Sequence, residues 1–198
     1  MAPIQALHSA WIYFFYSLFY FPFSFNLASG IPKFIEMNKK VPMDKIDFMR
    51  RAIQLSEEKM MENSGGPFGA VIVKDNKIIA EGYNQVISIN DPTAHAEIVA
   101  IRKACEYLNT FQLSEAEIFC SCEPCPMCFA AIHWARIKKV YYSNTRKDAQ
   151  KIGFDDNTIY EELTKNNNQR KIPSIQFLSM EGKTAFKTWE EKIDKTPY

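Results

Sequence analysis

Charge is absent from the first stretch of this chain. Residues 1–32 contain no Lys, Arg, Asp or Glu, yet they hold six of the fifteen Phe and three of the nine Tyr. No basic segment precedes the apolar run Ala10–Leu27, which argues against a secretory signal, and the lack of arginine argues against an organellar transit peptide. A membrane helix needs roughly 20 apolar residues, and Ser17, Pro22, Ser24 and Asn26 interrupt this run. If it inserts, Lys33, Lys39 and Lys40 follow it, and the positive-inside bias leaves the remaining domain cytosolic. The plainer expectation is that residues 1–42 are an extension outside the fold, with Met37 or Met43 as alternative starts. Membrane association through residues 11–27 stays open.

A charge excess is also missing. The 24 Lys and Arg offset 23 Asp and Glu for a net charge of +1, and residues 43–198 carry 21 basic and 22 acidic side chains. With no Lys/Arg run, nothing marks a dedicated nucleic-acid binder. There is no internal repeat. With 198 residues, 46% hydrophobic and 24% charged, the chain suits one folded domain over 43–198 plus the extension.

A disulfide framework is lacking too. The five cysteines are Cys105, Cys120, Cys122, Cys125 and Cys128, an odd number with four inside nine residues. Such clustering points to metal ligation or redox chemistry in a reducing compartment, with the cytoplasm the simplest assignment.

Hydrophobic periodicity from Met43 onward alternates helix and strand. Ile46, Met49, Ile53 and Met60 mark a helix over 45–62 with Asp44 as its N-cap, and Asn63–Pro67 breaks it. Strands Ala70–Lys74 and Ile78–Tyr83 flank a turn at Asp75–Lys77. A helix is expected from Asp91-Pro92 to about Leu108, then strand Glu117–Ser121, helix Pro126–Arg136 and strand Lys139–Ser143. A short helix at Tyr160, a polar connector over 166–171, strand Ile175–Ser179 and helix Thr184–Ile193 complete the pattern. Five strands among helices imply an α/β sandwich with helices on both faces of one sheet.

Two segments carry chemistry, His95-Ala-Glu97 and Pro124-Cys-Pro-Met-Cys128, each at the start of a predicted helix. One imidazole and two thiolates fill three corners of a zinc tetrahedron and leave the fourth for water, the pattern of a catalytic site. Helix N-termini favour thiolate over thiol. Zinc with two thiolates and a neutral imidazole sums to zero charge, so the metal stays electrophilic and brings its water to a pKa of about 7. Glu97, two residues from His95, can take and return the proton without ligating. A lone C-x-x-C is equally half of a zinc ribbon or a redox pair, but no second C-x-x-C or C-x-x-H exists to complete a ribbon. A ligand set including His133 is conceivable, although it would leave Glu97 without a role; packing on its own helix is the simpler reading. Cys120 and Cys122 could be further ligands, but suit ordinary strand positions, and Cys105 suits the core. The combination H-x-E with P-C-x-x-C is the zinc deaminase signature.

With these motifs, the chain resembles the zinc-dependent cytidine and deoxycytidylate deaminase superfamily, and within it the bacterial-type guanine deaminases. Gly65-Gly-Pro-Phe-Gly-Ala-Val-Ile-Val-Lys-Asp75, Asn90–Glu97, Ser121–Cys128, Trp134-Ala-Arg136 and Gly153-Phe-Asp-Asp156 all carry the likeness, which spans 43–198. The resemblance implies a three-layer α/β/α sandwich around a mixed five-stranded sheet, one zinc per chain held by His95, Cys125 and Cys128, and hydrolysis of guanine to xanthine and ammonia in purine catabolism. Zinc-bound hydroxide would attack C2 while Glu97 shuttles the proton to the ring nitrogen and then to the amine. Phe68 and Trp134 would flank the purine, Asn84 and Asp156 would bond its edges, and Tyr198 would close the pocket. The resemblance further implies a homodimer that exchanges segment 163–198, so that Tyr198 enters the partner's site.

Taken without the resemblance, the same residues have plainer uses. Phe68 and Trp134 suit a core, Asn84 a turn, Asp156 the N-cap of a helix over 157–163, and Tyr198 a frayed end. Rival functions are deamination of guanosine, or of another nucleobase or nucleoside, and a non-catalytic zinc-stabilised module. Cytosine and cytidine fit less well, because a carboxylate such as Asp156 suits purine donors that a pyrimidine lacks.

Overall fold

The computed structural model describes residues 43–197. The extension 1–42 and Tyr198, and whatever is expected of them, lie outside the described residues. Helix α1 (Lys45–Met61) opens as expected: Asp44 accepts from the amides of Ile46 and Asp47, and Asp47 accepts from that of Asp44. This reciprocal cap satisfies amides that have no partner inside the helix.

Strands β1 (Gly69–Lys74), β2 (Lys77–Tyr83), β3 (Glu117–Cys122) and β4 (Lys139–Asn144) form one sheet in the order β2-β1-β3-β4. The pairs β1–β2 and β1–β3 are antiparallel and β3–β4 is parallel, so the sheet is mixed. Central β1 is nearly all apolar because both its faces are covered. Val71, Val73 and Phe119 meet Phe48, Ala52 and Leu55 of α1 on one face. On the other, Ala70, Ile72, Ile118 and Cys120 meet Ala96, Ala100 and Ala104 of α2 (Ala96–Leu108) and Ile132 of α3 (Pro126–Trp134). The three-layer sandwich is therefore present.

Three expected boundaries shift. Helix α2 begins at Ala96 and not at Asp91, because the Asp91 carboxylate binds the amide and hydroxyl of Thr93 and closes a separate turn. His95 is thereby left extended in front of the helix. Helix α3 stops at Trp134, and Arg136, at φ 58°, turns the chain away. Among the described residues the sheet has four strands, not five. Residues 175–178 pair with no strand, and Ile175 and Phe177 are exposed; without an edge to accept its amides an extended segment cannot become a strand. Helix α6 (Ser179–Glu191) accordingly starts earlier than expected, and none of its residues is buried.

Two short helices precede it: α4 (Arg146–Lys151), absent from the sequence expectation, and α5 (Asn157–Thr164), the helix expected around Tyr160. A reciprocal cap between Thr145 and Asp148 starts α4. Among the described residues no helix is long and apolar enough to cross a membrane.

The seating of α2 on β2 depends on Gly82. A Cβ there would lie 2.1 Å from the Ala96 carbonyl oxygen and 2.6 Å from the Ala100 amide nitrogen. Gly82→Ala should cost about 3 kcal/mol of stability, seen as a lower denaturant midpoint; an unchanged midpoint would refute the close contact.

Candidate active site

Two helix starts meet at one place. His95 is the N-cap of α2 and Cys125 the N-cap of α3, both extended and neither using its side chain to cap. Pro126 follows at the first position of α3, where its missing N–H costs nothing. Cys128 lies one turn further and is fully buried. His95 Nδ1 stands 3.6 Å from Cys125 Sγ, and the donor atoms of His95, Cys125 and Cys128 all lie within 4.8 Å of one another. Bonds of about 2.3 Å to sulfur and 2.0–2.1 Å to nitrogen place tetrahedral zinc ligands about 3.5–3.8 Å apart. The three residues therefore fit zinc.

The sulfurs are already polarised. The hydrogen bond from the Cys128 thiol, with His95 alongside, brings Cys125 down to about 4. Cys128 moves the opposite way, because Cys125 and burial both oppose its ionisation. Of the two facing sulfurs Cys125 is the more readily ionised, and a bound cation would favour the thiolate of both. Glu97, in the first turn of α2, is only 8% exposed, and burial pushes its carboxyl upward. A carboxyl so placed can hold a proton as well as release it.

These groups open into a cavity of about 500 Å³ whose lining includes Phe68, Asn84, His95, Glu97, Cys125 and Asp156. Asn84, buried at the end of β2, donates its amide to the Phe68 carbonyl, and its Oδ1 accepts from the amides of Gly66 and Val86. That use of Oδ1 turns Nδ2 into the group free to face a ligand. Asp156 precedes α5 without capping it; Asp155 accepts from the Asn157 amide in its place. The Asp156 carboxyl is held upward by burial and by the nearby Cys125 sulfur.

Other candidates stand apart. Trp134 is 67% exposed at the end of α3 and does not line this cavity. His133 stacks edge-on with Phe129 and lies outside the ligand set. Cys120 belongs to the core, while Cys122 donates to the Thr145 carbonyl at 3.6 Å and is pushed by burial to about 11.

Sequence reasoning assigned no role to several lining residues, among them Glu123, Arg146 and Phe154. Phe154 meets Phe68 edge-on at 4.8 Å and so builds an aromatic wall. It stands in the same Gly153–Asp156 stretch that drew attention to Asp156, where a purine-sized wall was the signal to look for.

Residues 42–144 match the family model of the cytidine and deoxycytidylate deaminase zinc-binding region. The chain is 49% identical to guanine deaminase of Bacillus subtilis over 156 residues, covering 79% of this chain and 100% of that protein. A crystal structure of the B. subtilis guanine deaminase superposes with a TM-score of 0.77, covering 79% of this chain and 99% of that one. A guanine deaminase structure from Nitrosomonas europaea, 30% identical, gives a TM-score of 0.54 over 66% of this chain and 77% of its own. Similarity to the tRNA-specific adenosine deaminase of Aquifex aeolicus is 42% over 101 residues, which is 51% of this chain and 66% of that protein.

Cys128→Ser should remove most of the zinc from the purified protein, counted with a chromophoric chelator after denaturation, whereas Cys105→Ser should leave the count unchanged. Equal zinc in both variants would exclude Cys128 as a ligand.

Proposed function

Because the chain belongs to the cytidine and deoxycytidylate deaminase family, we propose that its cavity is a zinc-dependent active site that hydrolyses guanine to xanthine and ammonia. The observation that carries this reading is the placement of Glu97, buried in the first turn of α2 and lining the same cavity as His95 and Cys125. Zinc held by His95, Cys125 and Cys128 supplies Lewis acidity that makes water a nucleophile near neutral pH.

The protein's own residues do the rest. Glu97 takes the proton from the water as its oxygen bonds to C2 of guanine, and passes it to ring N3. The remaining hydroxyl proton then travels through Glu97 to the exocyclic nitrogen, the C2–N bond breaks and ammonia leaves. Burial supports both halves of this cycle, since a desolvated carboxyl has a pKa nearer the working pH. Asn84 Nδ2 would donate to an acceptor of the base, and Asp156 would accept from its N–H groups. Phe68 would lie against the purine face.

Segment 163–198 would be exchanged within a homodimer. Supporting this, α6 has no buried residue, while Ile172, Ile175, Phe177, Met180 and Phe186 are all exposed. Apolar surface on this scale commonly marks a partner site. Tyr198 would then close the partner's cavity. Trp134 does not line its own chain's cavity, so its contact with a base would also have to come through the second protomer.

Guanosine is the alternative substrate, and it would need room for its ribose beside the base in this cavity.

Ammonia release should be measured from guanine, guanosine, cytosine, adenine and cytidine. Guanine should give the highest kcat/KM, and Glu97→Gln should lower its turnover about 10²–10⁴-fold with zinc retained. Undiminished turnover in Glu97→Gln would remove Glu97 from the proton transfers, and no ammonia from any of the five compounds in the unmodified protein would leave a zinc-stabilised module as the better account. Deleting Tyr198 should depress turnover far more than the thermal midpoint; equal activity would remove it from the pocket.

A further inference from the structure

The cavity wall away from the zinc ligands contains a cation that the proposed chemistry does not use. Arg146 opens α4, and its backbone amide donates to Glu123 Oε2 at 3.1 Å, which ties the start of that helix to the loop after β3. Its guanidinium lies over the Tyr160 ring at 4.6 Å. A guanidinium held over a ring suits arginine better than lysine, because its charge is delocalised and weakly hydrated.

Tyr160 is four residues beyond Asp156. Asp156 stands at the N-cap position of α5, and Arg146 acts on both the Asp156 and the Tyr160 side chains, so the three groups meet at one wall. Arg146, Glu123 and Asp156 all line the cavity. The charge balance of the wall also calls for a cation. Glu123, Asp155 and Asp156 all line the cavity, and Arg146 is the one arginine or lysine among the described lining residues. Arg146 acts on Asp156 in the opposite sense, favouring its ionised form.

We propose that Arg146, held over Tyr160, is a positioning residue for substrate: it sets the α5 wall and balances the charge around Asp156, so that this carboxylate can accept from the N–H donors of the purine. This inference rests on the guanine reading above. Arg146 acts through Asp156, not on the reacting atoms. Its removal therefore weakens binding of the base and leaves the proton transfers of Glu97 alone.

The test is a binding cycle in the Glu97→Gln protein loaded with zinc, with guanine as the probe and calorimetry as the readout. Arg146→Gln should weaken guanine binding about five- to tenfold, and in a protein that already carries Asp156→Asn it should change binding less than about twofold. Arg146→Lys, which keeps the charge and loses the guanidinium, should fall between Arg and Gln. In the active enzyme the same substitution should raise KM and leave kcat within about twofold. Equal losses in both Asp156 backgrounds, or a fall in kcat at constant KM, would overturn the proposal. If Arg146→Gln fails to fold, the Arg146→Lys cycle decides by the same comparison. Failure of guanine to bind the Glu97→Gln protein at all would count against the substrate assignment, not against Arg146 alone.

Discussion

Everything in this protein hangs on two helices that start side by side. An imidazole and a thiol reach 3.6 Å because His95 and Cys125 are both extended residues in front of helices, not members of them. The sheet supplies the support. Strand β1 is covered on both faces, and α2 comes down onto β2 only because Gly82 offers no side chain. Moving either helix by a fraction of a turn would separate three donor atoms that together fit one small ion, and would lift Glu97 out of its dry place beside them.

Dryness has a chemical consequence as well as a structural one. Burial is the main reason Glu97 holds its proton more tightly; the Cys125 sulfur adds to this, while His95 and the Cys128 thiol act the other way. The same low-dielectric setting makes a cation bound by two sulfurs and an imidazole more favourable, since the ion cancels charge that water does not reach. Buried carboxyl and metal ligands therefore stabilise one another's presence, and each alone would be costly.

The chemistry was the most legible part of the sequence. The spacing from His95 to Glu97 and from Cys125 to Cys128 is local, and local spacing survives folding unchanged. Helix α1 was equally readable, because Asp44 and a regular apolar stripe fix it from within. What stayed hidden depended on long-range contacts. The start of α2 was misplaced because the Asp91 side chain chose Thr93 as its partner over the helix. The fifth strand was inferred from composition at Ile175–Ser179, but strands are made by neighbours, and no edge meets those residues. Phe154 went unnoticed because its value lies in facing Phe68, a residue 86 positions away. The polar candidate Asp156 was ambiguous until Asp155 was seen to take the capping contact.

The ligands and Glu97 come from the first turns of α2 and α3, while the opposite wall comes from residues 146–159 on later, separate elements. That wall is joined to the sheet by a handful of contacts, among them Cys122 to Thr145, Asn144 to Ser121 and Arg146 to Glu123. Reactivity and recognition are thus written in different lengths of the gene. Mutation can drift or be selected in the wall without endangering the ion, which makes this architecture a permissive starting point for acquiring new substrates.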